Sequence, residues 1–157
     1  MEGLFKDLSG STIALFVEIG GIVFVPIALV ALFVGMLIST RISVLVKTAV
    51  LAVSAILYFS WSSLFVFPYE YSPGNFQYHI SGWRLTPPAE AFLQNDPALA
   101  VMSREKISAE LMKSFKAPEY VWLGADLNVA RWLGSALMAV VLFSVGLILG
   151  SLRLSKG

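Results

Sequence analysis

The chain has 157 residues, 57% of them hydrophobic and 13% charged, with a formal net charge of +1, whereas an ordinary soluble domain carries about 25% charged and about 45–50% apolar residues. No soluble chain this small has an interior large enough to hide so much apolar side chain, so the composition excludes a water-soluble monomer and a disordered chain and predicts an integral membrane protein. A near-neutral charge without a basic run gives no footprint for a nucleic acid, and the absence of cysteine excludes disulfides, iron–sulfur clusters and thiolate zinc sites.

The first ten residues carry Glu2 and Asp7 against Lys6. The apolar run that follows is too long for the hydrophobic region of a secretory signal and has no small-residue cleavage site, so it is expected to remain in the mature protein. It is free of charge from 19 to 40 and extends back towards 12 on the other side of Glu18. At a rise of about 1.5 Å per residue it can cross a hydrocarbon core of about 30 Å. Gly20, Gly21 and Pro26 predict a kink, since the proline ring removes a backbone donor and crowds the carbonyl of Ile22. Glu18 is the one acid embedded in apolar sequence. A carboxylate in hydrocarbon is costly, so Glu18 either reaches headgroup water or pairs with Lys6 or Arg131 at the outer boundary, pairs with a partner subunit, or carries protons or ions.

Two further uncharged runs, 48–67 and 132–152, are also long enough to span. The predicted fold is an all-α integral membrane protein with three transmembrane helices at about 12–40, 46–67 and 129–152, forming a single membrane domain over 1–157. Residues 68–128 make a small extracytoplasmic cap of a short hairpin plus short helices. Arg41 and Lys47 between the first two spans, and Arg153 and Lys156 after the third, place those ends in the cytoplasm. Tyr58, Trp61, Tyr69, Tyr71, Tyr120, Trp122 and Trp132 form an aromatic belt at the other face, which puts the N-terminus outside and the C-terminus inside. Lys6 and Arg131 oppose this orientation; Glu2 and Asp7 are expected to offset the first, and Asp126 the second. The expected setting is a bacterial cytoplasmic (inner) membrane.

Within the cap, Ser72-Pro73-Gly74-Asn75 suits a type II turn between two alternating segments. Thr86 before Pro87 and Pro88 predicts a short helix ending near Asn95, and Ser103 caps a better one that Pro118 stops. On that second helix Ile107, Leu111, Met112 and Phe115 share a face that needs cover from the hairpin, the headgroups or another subunit. His79 is the one histidine and has no companion ligands at metal-binding spacing, while serine–histidine–acid constellations and phosphate loops are missing. No catalytic, cofactor-binding or metal residue is assigned, and no cofactor is expected.

Stripes of small residues are the sharper pattern. Ala31, Gly35 and Ser39 repeat on the first span, Thr48, Ala52 and Ala55 run along the second, and Ser135, Ala139, Gly146 and Gly150 line the third, where 146–150 is a literal G-x-x-x-G. In lipid, association of helices relies on such close approach. The interaction candidates are therefore Gly146, Gly150, Ser135, Ala139, Ala31 and Gly35, with Glu18 and the cap face of Ile107, Leu111 and Phe115. The expected role is a non-catalytic accessory or structural subunit of a larger membrane complex, in contact with the bilayer and with other subunits or itself. Two alternatives stay open: a small channel, transporter or proton-conducting subunit using Glu18 and the Pro26 kink, and a receptor or exclusion-type factor binding through the cap.

The orientation is directly measurable because the native chain has no cysteine to interfere. With an impermeant thiol reagent on intact cells, Asn75→Cys should be labelled and Ser155→Cys should not; the reverse pattern refutes the topology.

Overall fold

The computed structural model describes residues 21–154. Helix α1 (Gly21–Ile38) ends in a single 3-10 turn (Ser39–Arg41) and is followed by α2 (Val44–Phe65), strands β1 (Val66–Ser72) and β2 (Asn75–Ile80), the short helices α3 (Pro87–Asn95), α4 (Pro97–Ala100), α5 (Arg104–Phe115) and α6 (Pro118–Val121), and the long α7 (Gly124–Leu154). The fold is mostly helical. Among the described residues two helices are long and apolar enough to cross a membrane, over Val44–Phe65 and Gly124–Leu152, and a third apolar helix, Val25–Arg41, is shorter. Residues 12–20 of the first expected span, Glu18 among them, lie outside the described residues. Pro26 stands in the second turn of α1.

Two boundaries differ from the sequence reading. The second apolar run was expected to be helical to 67, but the helix stops at Phe65 and Val66 already pairs with Ile80 across the hairpin. The Phe65 carbonyl accepts from the Ser81 amide at 2.7 Å, which closes the hairpin onto the helix end. The third helix starts at Gly124 rather than near 129, because hydropathy marks only the apolar part of a helix whose backbone ladder continues into polar sequence.

Helix α7 packs against both α1 and α2, which have no extensive contact with each other. A Cβ on Gly146 would collide with the Leu32 carbonyl, and one on Gly150 would lie 2.7 Å from the Met36 carbonyl. An advance of four residues on one helix matches four on the other, so α1 and α7 run parallel. Gly35 completes the seam from the α1 side, where a Cβ would strike the Phe143 carbonyl. On the other side of α7, Lys47 meets Ser151, Ser54 meets Ser144 and Trp61 meets Ala130, so α2 runs antiparallel to it. The stripe expected along the second span is not a seam: Thr48 and Ala52 are exposed, and the buried positions of α2 are Lys47, Ser54, Tyr58, Trp61 and Ser62.

The hairpin, α3, α5 and α6 gather over the Phe65 end of α2 and the first turns of α7. Their core is continuous with the helix pair: Ile80, Leu111, Met112, Val121 and Trp122 join Tyr58, Trp61, Leu127 and Ala130 in one buried cluster. Gly74 takes φ 77° at the hairpin turn, a left-handed conformation open to glycine, and its amide donates to Glu70 Oε1 at 2.7 Å. Ser103 caps α5 as its sequence predicts, by accepting from the Lys106 amide, and Lys116 ends it in the left-handed region with φ 63°. Thr86 departs from its expected capping role, since its hydroxyl donates to the Tyr120 carbonyl instead and ties α3 to α6.

Replacing Gly146 with Leu forces α1 from α7 by the width of a side chain that has no space. The variant should lose about 1–3 kcal/mol of stability, read as a lowered thermal midpoint of the detergent-solubilised chain. Leu149→Ile, at a half-exposed position off the seam, should melt like the parent.

Candidate functional site

The residues singled out as docking candidates fall into three places. Gly35, Gly146 and Gly150 lie in the α1–α7 seam, with Ala31 half-buried beside them. Their small-residue surface is therefore spent inside the chain. Ser135 is buried with its hydroxyl lacking a hydrogen-bond partner among the described residues, and Ala139 is half-buried on the same helix. On α5, Leu111 is fully buried while Ile107 and Phe115 are half-buried against the same core. The Phe115 ring meets Phe92 of α3 edge-on at 5.8 Å, and α5 lies along β1. That face takes its cover from the chain's own hairpin and α3. Glu18, the remaining candidate, is outside the described residues.

A constellation absent from the sequence reading sits where α1, α2 and α7 meet. Lys47 is only 5% exposed, and its Nζ donates to Ser39 Oγ at 3.0 Å and to Ser151 Oγ at 2.5 Å. The Ser39 hydroxyl in turn donates to the Leu147 carbonyl at 2.5 Å. Lys47 thus places a cation against the C-terminal ends of two parallel helices, where carbonyl dipoles accumulate. Serine beside lysine is also the composition of a nucleophile and its base. Here the Ser39 hydroxyl is fully buried and its proton points at a main-chain carbonyl, so the geometry is that of a structural clamp. The signal that could have found it is the presence of Ser39 on a small-residue stripe, four residues after Gly35: hydroxyls on such stripes face a neighbour.

At the other end of α2, the Trp61 indole covers Gly134 so closely that a Cβ there would overlap the ring, and its Nε1 donates to the Ala130 carbonyl at 3.0 Å. Asp126, in the first turn of α7, accepts from the Arg84 main-chain amide at 3.1 Å, from Nε at 2.9 Å and from Nη2 at 2.6 Å. The hydrogen bonds and charge of Asp126 raise the Arg84 pKa further above its ordinary value. Arg131 was expected to be offset by Asp126. It pairs instead with Glu119 at 2.6 Å, because Asp126 is already committed to Arg84. The Arg104 guanidinium lies over three rings, Phe65 at 5.8 Å, Phe67 at 5.7 Å and Trp122 at 6.0 Å, and donates to the Gly82 carbonyl at 2.8 Å. Partial burial lowers its pKa from the ordinary value.

His79 faces α5 from β2, beside the rings of Phe67 and Tyr69. It is 2% exposed and its Nε2 hydrogen-bonds Ser108 Oγ at 2.7 Å, while Nδ1 has no hydrogen-bond partner among the described residues. Burial pushes its pKa down from 6.5 to about 4, with the Phe67 backbone partly opposing. Among the described residues no group of three or more His, Asp or Glu side chains converges to hold a metal ion.

Comparison with family models, curated proteins and solved structures finds no match to this chain.

The buried histidine makes a pH prediction with a definite sign. Its folded pKa of about 4 lies below the unfolded 6.5, so the unfolded chain takes up the proton first. Stability should be complete above pH 6.5 and fall as pH drops towards 4, by roughly 3 kcal/mol if the full shift is realised. Thermal melts at steps between pH 7 and 4 should show this decline in the wild type and a flatter profile in His79→Gln, which cannot titrate there.

Proposed function

We propose that the chain is a three-span membrane protein with its N-terminus outside, acting as a non-catalytic subunit of a larger membrane complex in a bacterial cytoplasmic membrane. The observation that carries this reading is the joining of the cap to the helices through one continuous core. A hairpin and three short helices, α3, α5 and α6, that share one buried cluster with Trp61 of α2 and Leu127 of α7 form a head held to the long helices. Such a head can present a surface without the ordering cost that a loose loop would meet on binding. The apolar faces of α1 and α2 remain for lipid or for neighbouring subunits, with Phe33 61%, Leu37 78% and Leu45 80% exposed.

Polarity along the helices supports the orientation. Lys47 and Arg41 lie at one end of the helix group, and Trp83, Tyr120 and Trp132, all substantially exposed, lie at the other, as expected for cytoplasmic and outer boundaries. Because the G-x-x-x-G seam is occupied by α1, docking falls to the cap, whose hairpin carries Phe76 63% exposed, and to the outward faces of α1 and α2.

One observation favours the conducting alternative. Ser54 and Ser144 face each other at 3.4 Å between α2 and α7, and the Lys47 cluster lies further along the same interface, so hydroxyls and a cation line a helix junction in apolar surroundings. Two measurements separate the readings. Purification in mild detergent should recover the chain with stoichiometric partner subunits, and Phe76→Asp should weaken that recovery without preventing insertion. Liposomes holding the chain alone should show no proton flux sensitive to Glu18→Gln or Lys47→Met. Flux abolished by either substitution overturns the subunit reading.

A further inference from the structure

Where α2 gives way to β1, a cavity of about 440 Å³ opens between Phe59, Ser62 and Ser63 of α2, Phe67 and Tyr78 of the hairpin, and Glu105 in the first turn of α5. That volume is in the range of small-molecule sites. Its walls combine three aromatic rings, hydroxyls and one carboxylate, with no cationic side chain among them. Among the described residues Glu105 forms no ion pair. A carboxylate among aromatic faces attracts an ammonium group and repels an anion.

Phe67 has a second neighbour. The guanidinium of Arg104 lies 5.7 Å from its ring centroid and, like Glu105, has no ionic partner among the described residues. Of the Arg104 nitrogens, Nη2 is engaged by the Gly82 carbonyl and Ser81 Oγ. The guanidinium thus lies against Phe67 outside the cavity lining, and Glu105 is the charged group that the cavity itself presents.

We infer that this cavity binds the headgroup of an aminophospholipid through its ammonium group, held by the Glu105 carboxylate among the rings of Phe59, Phe67 and Tyr78. The inference rests on the three-span reading for the source of the ligand: in that orientation the cavity lies where α2 leaves the hydrocarbon on the outer side. Ile56, 64% exposed and one turn deeper than Phe59, offers its face to the acyl chains. The shared chemistry is an ammonium two carbons from a phosphate, and soluble O-phosphoethanolamine carries it without the chains.

Native mass spectrometry of the full chain, purified with equal amounts of dioleoyl-phosphatidylethanolamine and dioleoyl-phosphatidylglycerol, tests the assignment. The wild type should retain the ethanolamine lipid about tenfold over the glycerol lipid. Glu105→Gln should bring the two to parity with unchanged melting, Ser63→Phe should lower ethanolamine-lipid retention by filling the cavity mouth, and Glu90→Gln on α3 should behave as wild type. Equal retention by the wild type, or a preference that survives Glu105→Gln, overturns the proposal. If alkaline carbonate releases the chain from membranes, the three-span reading has failed, and a titration with O-phosphoethanolamine then decides the site by itself. Binding weakened about tenfold by Glu105→Gln upholds the ammonium site, and no binding overturns it.

Discussion

The organisation of the molecule depends on how closely α7 can be approached from two sides. On one side Gly146 and Gly150 bring its backbone against that of α1, and on the other Gly134 lets the Trp61 indole lie on the helix surface. Close contact of this kind lets backbone pack directly on backbone and ring, with dispersion contacts that an intervening side chain would break. Without these gaps α7 would stand away from its neighbours by a side-chain width, and the groups now joined across the seams would not meet. Ser39 could not reach the Leu147 carbonyl, nor Trp61 Nε1 that of Ala130.

Polar contacts then lock the two ends of this arrangement. At one end Lys47 spans to Ser39 and Ser151, linking α2 to both of the other long helices. At the other, Asp126 holds Arg84 by main chain and guanidinium together, and the Leu123 amide returns to the Arg84 carbonyl at 3.0 Å. The segment after β2 is thereby fixed to the start of α7. With the Arg84 side chain 64% exposed, its pairing with Asp126 has little value as an isolated ion pair. The effect of these contacts is positional, because each removes a degree of freedom between elements distant in sequence.

The cap is ordered by the helices beneath it. A two-stranded hairpin is marginal by itself in water, and here it is closed onto α2 through the Phe65 carbonyl and covered by α5 through His79, Ser108, Leu111 and Met112. Burial lowers the pKa of the His79 imidazole, so its protonation in acid works against the covered cap.

The sequence by itself determined the local structure: the apolar helices, the Pro73-Gly74 turn between two strands, the helix from Ser103 to Phe115 and its apolar face. Each rests on periodicity or on a capping or turn residue within a few positions, and such signals survive without knowledge of the rest of the chain. The tertiary structure decided the partners. A small-residue stripe reads the same whether it meets another subunit or its own chain, and only the packing assigns Gly146 and Gly150 to α1. Likewise an acid near Arg131 in sequence was matched to it, yet Asp126 belongs to Arg84, 42 residues away, and Arg131 to Glu119. Lys47 reads as a boundary charge until Ser151, 104 residues on, is brought beside it. In each case the energy lies in a contact between distant segments, and no local pattern in the chain encodes which segments will meet.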